Sequence, residues 1–195
     1  MITHERHKTS DLRPGHTVFG GAVIVTTLFG LGIVVLKLIQ PLHGCGIQRT
    51  PDDLNRFAES IAHYHDEYGK LPKASSSDFE TEGPEAAEFI TVLLGKEDSD
   101  GNMQNPRQIY FLAMRISKHP QQGGLVMTSD NRVAGAYDAW GNPLRVILRP
   151  PDKTVHLISY RGKQVTNSQP AVVLSRGADQ KWGTKDDLIS NTDRS

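Results

Sequence analysis

Residues 50–69, TPDDLNRFAESIAHYHDEYG, decide how the body of this chain is read. Thr50 offers an N-cap oxygen, and Pro51 suits the first helical position. Asp52 and Asp53 then place carboxylates at the positive end of a helix dipole. Leu54, Phe57, Ile61, Tyr64 and Tyr68 recur at spacings of three and four, which is one apolar stripe. Gly69 suits a left-handed cap. The spacing predicts a helix that lays this stripe on a sheet and turns Asp66 and Glu67 outward. His63 and His65 are two apart and leave a helix on different sides. His63 and Glu67 share a side, but two such groups do not make a metal site.

Forward of the helix, Lys73 to Pro84 is polar and serine-rich and reads as a surface loop. Glu85 to Leu94 (EAAEFITVLL) reads as a second short helix stopped by Gly95. Asp98-Ser99-Asp100-Gly101-Asn102 resembles a calcium loop only superficially. Its glycine falls at the fourth position instead of the sixth, and Ile109 stands where a closing glutamate belongs. It reads as a turn. Gln108 to Ile116 and Gly124 to Thr128 read as extended pieces. Leu144 to Arg149 alternates with Leu144, Val146 and Leu148 on one face, and Thr154 to Tyr160 with Val155, Leu157 and Ser159, so both read as strands. Pro150-Pro151-Asp152-Lys153 between them predicts an antiparallel hairpin, and Ala171 to Ser175 a third strand.

Backward of the helix, Pro41, Gly44 and Gly46 interrupt the chain, and before them lies Val18 to Ile39, VFGGAVIVTTLFGLGIVVLKLI. About 20 apolar residues in a helix match a hydrocarbon core of about 30 Å. The one charge, Lys37, stands near the end, where its side chain can reach the interface. The stretch is expected to span a membrane and lie against lipid. Arg6, Lys8 and Arg13 in the leader favour a cytoplasmic N-terminus and an exported body. A cleaved signal peptide fits less well, because its apolar region is normally about 7–15 residues. Ala22, Thr26 and Gly30 fall four apart, a spacing that lets helices approach closely and is also common in spans generally. Cys45 is the single cysteine and can form no internal disulfide. His43 and the length of the preceding segment fit a lipidation signal poorly. The expected organisation is a leader at 1–17, a span at 18–39, a linker at 40–50 and an exported domain at 51–195.

Lysine plus arginine equal aspartate plus glutamate at 22 each, so the overall charge gives no sign of a nucleic-acid partner. The charges are unevenly placed. Asp52 to Asp100 holds 13 acids and 4 bases, and Gly101 onward holds 13 bases and 7 acids. An acidic helix against a basic body or a neighbouring copy would use this asymmetry. Two solvated faces would carry it equally well. Catalytic signatures are missing: there is no Gly-x-Ser-x-Gly, no His-Glu-x-x-His and no phosphate-binding glycine loop. Asp138, His156 and Ser159 could be drawn as a triad, but residues three apart on a strand face opposite ways. A non-enzymatic role is expected.

Three stretches together resemble the major pseudopilin of type II secretion, a member of the type IV pilin-like superfamily. His63 to Pro72 (HYHDEYGKLP) is similar to the end of that family's long helix. Asp138 to Val146 (DAWGNPLRV) resembles its Asp-Pro-Trp-Gly-Asn-Pro segment. Leu174 to Ile189 (LSRGADQKWGTKDDLI) resembles its terminal calcium loop. At the N-terminus, Gly15-His16-Thr17-Val18-Phe19-Gly20 keeps the glycine and threonine of the prepilin cleavage motif. It carries His16 for phenylalanine and Gly20 for glutamate. The motif is degenerate, and loss of the glutamate fits an anchor that is kept uncleaved.

The resemblance implies an α+β fold: a single N-terminal transmembrane helix, then a pilin-like helix on a small antiparallel β-sheet, closed by a C-terminal calcium-type loop. Trp140 is expected to be a core anchor between helix and hairpin. Gly177 and Gly183 would let the last loop fold back. Asp179, Asp186 and Asp187 in one short loop would repel one another without a cation. With backbone carbonyls near Leu174 they offer oxygens for Ca2+, which accepts about six to eight. The implied function is a membrane-anchored structural subunit or accessory protein of an envelope secretion apparatus. Its partners would be other pseudopilins, apparatus proteins or further copies of itself. The alternative is a stand-alone anchored interaction module that forms no filament.

Overall fold

The computed structural model describes residues 49–98 and 102–190. Helix α1 is Thr50–Tyr68 and helix α2 is Pro84–Leu93. The strands are β1 Asp78–Glu80, β2 Ile116–Ser117, β3 Gly124–Met127, β4 Val133–Tyr137, β5 Arg145–Leu148, β6 His156–Tyr160, β7 Lys163–Asn167, β8 Ala171–Ser175 and β9 Leu188–Ile189. They form three sheets: an antiparallel β1-β5-β8-β9, a three-stranded β2-β3-β4 and the hairpin β6-β7. Strand β2 runs parallel to β3, while β3 and β4 are antiparallel.

The alternation of β8 explains how these pieces stack. Ala171 and Val173 join the large core with Val146 and Leu148 of β5, against Leu54, Phe57, Ile61 and Tyr64 of α1. Phe89, Ile90 and Leu93 of α2 close the same core. Val172 and Leu174 face the other way and pack with Ile158 of the hairpin, flanked by Tyr160 and Trp182. A strand with apolar residues on both faces must be covered on both sides, so the four-stranded sheet has helices on one face and the hairpin with the C-terminal loop on the other. Four of the five stripe residues of α1 are fully buried and Tyr68 partly so; burying a Leu, Ile or Phe side chain is worth about 1.5–3 kcal/mol of apolar transfer. Gly69 ends the helix at φ 66°, and its N–H donates to the His65 carbonyl at 2.8 Å, as a left-handed cap should.

The expected fold needs correction. Among the described residues there are two helices, and no helix is long and apolar enough to cross a membrane. The expected span, 18–39, lies outside the described residues. The single small antiparallel sheet is replaced by three sheets, one with a parallel pair. Strand β5 does not form a hairpin with β6. It pairs with β1 and β8, while β6 pairs with β7. The reason is local: Pro150 and Pro151 lack the N–H groups a hairpin would need next to β5. Arg161 and Gly162, at φ 51° and 71°, close a tighter two-residue turn further on. Arg49 is the N-cap of α1, not Thr50. Thr50 stands inside the helix, and its hydroxyl accepts from the Ala139 N–H at 3.2 Å.

Candidate functional site

The two stretches at 138–146 and 174–189 meet at Asp138. Asp138 starts a tight turn in which the Gly141 N–H donates to the Asp138 carbonyl at 3.1 Å, with Gly141 at φ 84°. Its carboxylate is buried and accepts four hydrogen bonds. Oδ1 takes the N–H groups of Trp140 and Asn142, both at 2.9 Å. Oδ2 takes Asn142 Nδ2 at 2.8 Å and Ser175 Oγ at 2.6 Å. Asn142 Nδ2 also donates to the Gly177 carbonyl at 2.9 Å, and the Gly177 N–H donates to Ser175 Oγ at 3.0 Å. One carboxylate thus fixes the turn before β5, the end of β8 and the start of the last loop. A buried charge is tolerable here because every lone-pair direction is used.

Gly177 then reverses the chain at φ 63°, where a Cβ would collide with the Asp186 backbone carbonyl. The loop returns to β9 with Trp182 lying on the outer face of the sheet. The Arg145 and Arg176 guanidiniums sit 5.5 and 6.0 Å from its ring centre. Arg145 also makes a two-pronged bond to Asp78, from Nε to Oδ1 at 2.7 Å and from Nη2 to Oδ2 at 2.6 Å. That carboxylate raises the Arg145 pKa above its ordinary value.

Asp187 is the inward member of the loop, 2% exposed. Its Oδ2 accepts the Gly183 N–H at 2.8 Å. Its backbone carbonyl accepts from Tyr160 Oη at 3.2 Å and from Arg161 Nε and Nη2 at 3.1 and 3.0 Å. Its Oδ1 is buried with no hydrogen-bond partner among the described residues. The other three expected ligands are placed differently. Asp179 is exposed, and its Oδ1 accepts the Lys181 N–H at 2.9 Å. Asp186 is exposed, and its N–H donates to Thr184 Oγ1 at 3.3 Å. Leu174 lies within β8, paired with Arg145 on one side and Ile189 on the other. Among the described residues no group of three or more histidine, cysteine, aspartate or glutamate side chains is gathered to hold a metal. The chemistry of the donor set still suits a hard cation, since its acceptors are oxygens and one buried carboxylate oxygen is left over.

Other expectations also shift. Trp140 is half-buried and belongs to neither core cluster. Glu67 ion-pairs with Arg107, while His63 is exposed. Ser159 is on the exposed face of the hairpin, whereas Asp138 is spent on Asn142 and Ser175, so those two do not form a catalytic pair. Sequence reasoning missed Arg161, Tyr160 and the Trp182 stack. Arg161 could have been found only as the first residue of an Arg-Gly turn, a weak signal beside Asn-Gly or Asp-Gly. No family model, curated protein or solved structure matches the chain.

Proposed function

We propose that the chain is a structural, pseudopilin-like subunit or accessory protein of an envelope secretion apparatus. In this reading the protein is held at the cytoplasmic membrane with its body on the exported side, a placement that rests on the leader's bases and the hydropathy of residues 18–39. The observation that carries the reading is the buried network Asp138–Asn142–Ser175–Gly177. It joins the two most family-like stretches into one rigid unit, as a scaffold role requires. The body has no catalytic step to perform, and its partners are proteins.

Calcium belongs to the same proposal. Asp187 would hold the ion through its unpartnered Oδ1, with the Asp179 and Asp186 carboxylates drawn in as the loop closes on it, while the Leu174 carbonyl stays in the β5–β8 ladder. Bound calcium would neutralise the acids of the loop and keep the chain end folded onto the sheet.

Cross-linking of the full-length chain in its own cells tests the role. Adducts with further copies or with secretion-apparatus proteins, and loss of an exported protein when the gene is deleted, are the expected results. A chain that cross-links only to unrelated exported proteins, with secretion intact, would favour the stand-alone interaction module.

A further inference from the structure

The outer edge of β6 differs from every other strand edge among the described residues. Strand β1 carries Asp78 and Glu80, β2 and β9 are two residues each, and β7 opens with Lys163. The outer side of β4 is bridged by Glu82 and Pro143. Charges, shortness and cover are the usual protections of a sheet edge. The segment His156–Tyr160 has none of them: it carries no Lys, Arg, Asp, Glu or Pro, and it pairs with β7 alone among the described residues. Its exposed face carries Leu157, 71% exposed, beside the small Ser159, and Val155 just before the strand is 47% exposed.

The register says which backbone groups are left unpaired among the described residues. In a hairpin with a two-residue turn, the closing pair, here Tyr160 and Lys163, exchanges hydrogen bonds, and bonded pairs alternate from there. Ser159 and Leu157 fall in the non-bonded pairs and turn N–H and C=O outward. The hairpin's own charge is one-sided. From Lys153 to Ser168 the chain has three bases and no acid. Lys153 is already paired with Asp152 at 3.3 Å. Arg161 and Lys163, at the hairpin tip, ion-pair with no carboxylate among the described residues, since Arg161 is bonded to a neutral carbonyl. A second copy brought edge to edge in antiparallel fashion would set Lys153 near Arg161 of its mate, like charge against like.

We propose that β6 is a docking edge for an extended segment of another protein, apolar at alternate positions and acidic at the end that meets the hairpin tip. Backbone bonds to Leu157 and Ser159 would supply affinity, while the Leu157 contact and the basic tip would set register and orientation. This goes beyond the structural role proposed above and does not depend on it.

The test uses the full-length chain and two labelled synthetic peptides that alternate valine and threonine, one ending in two glutamates and one in two lysines. The acid-ended peptide should bind about tenfold more tightly at low salt, with the difference shrinking as salt is added. It should slow hydrogen exchange at the Leu157 and Ser159 amides. Leu157→Lys, at an exposed position, should abolish binding without lowering the melting temperature, and Lys163→Glu, which sets a carboxylate beside Arg161 so that the two charges cancel, should erase the preference between peptides. Equal binding of both peptides, binding without protection at β6, no binding of either, or self-association through β6 would each overturn the proposal.

Discussion

Asp138 shows what a single residue can settle. Removing its carboxylate leaves Asn142 and Ser175 as buried polar groups without their partner, at about 1–3 kcal/mol for each orphaned group. Asp138→Ala should therefore cost about 3 kcal/mol or more in chemical denaturation of the full-length chain; a loss under about 0.5 kcal/mol would mean that the network is dispensable. Position in the core ranks the aromatic residues. Phe57 is fully buried under the sheet, and Phe57→Ala should cost about 3–5 kcal/mol. Trp140, half-buried outside both clusters, should cost about 1 kcal/mol when changed to alanine. Equal losses at the two positions would contradict this placement. Burial, followed by the charges of Glu97 and Tyr68, pushes the Tyr64 pKa up to about 12 from an ordinary value of 10. The folded state therefore favours the protonated phenol. Its contribution is complete below pH 10 and is lost as pH rises toward 12. Stability over that window should fall more steeply in the native chain than in Tyr64→Phe, and the tyrosinate absorbance should show two late-titrating phenols, Tyr64 and Tyr137, of which Tyr64→Phe removes one. Parallel curves for the two proteins would refute the assignment.

Among the elements, α1 was legible because its stripe, its first-turn acids and Gly69 all point to one helix. The second helix was legible from Glu85 to Leu94, and it starts one residue earlier, at Pro84. Strand pairing was not legible. The alternation of Leu144, Val146 and Leu148 identified β5 and its buried face, but alternation carries no information about partners. Those partners, Asp78–Glu80 and Ala171–Ser175, lie far away in sequence. Thr154 to Tyr160 was read with Val155, Leu157 and Ser159 on one face, and they do share one. It is the exposed face, and Ile158 is the residue that is buried. In the last loop the need for glycine at 177 was readable, while the reason, the approach of the Asp186 carbonyl, was not. Gly177→Ala combines an unfavourable φ with that collision and should cost about 1–3 kcal/mol. Thermal melting checks it. An unchanged melting temperature would show that the loop can relax away from β8.

At the scale of the whole molecule, the described residues form one layered body: helices, a four-stranded sheet, then the hairpin and terminal loop. The three acids of that loop were read from the sequence as a cation site, and their geometry was not legible there. Only Asp187 turns inward: Asp179 is exposed with its carboxylate accepting the Lys181 N–H, and Asp186 is exposed with its backbone N–H donating to Thr184 Oγ1. In the function proposed above, calcium would hold the terminal loop against this body. If the ion binds the folded state alone, calcium at about a hundred times its Kd adds about 2.7 kcal/mol. The most direct measurement is thermal melting of the full-length chain in calcium, in magnesium and in chelator, repeated on Asp187→Ala. The account predicts a rise specific to calcium that disappears in Asp187→Ala. Identical melting of the native chain in calcium and in chelator would contradict it.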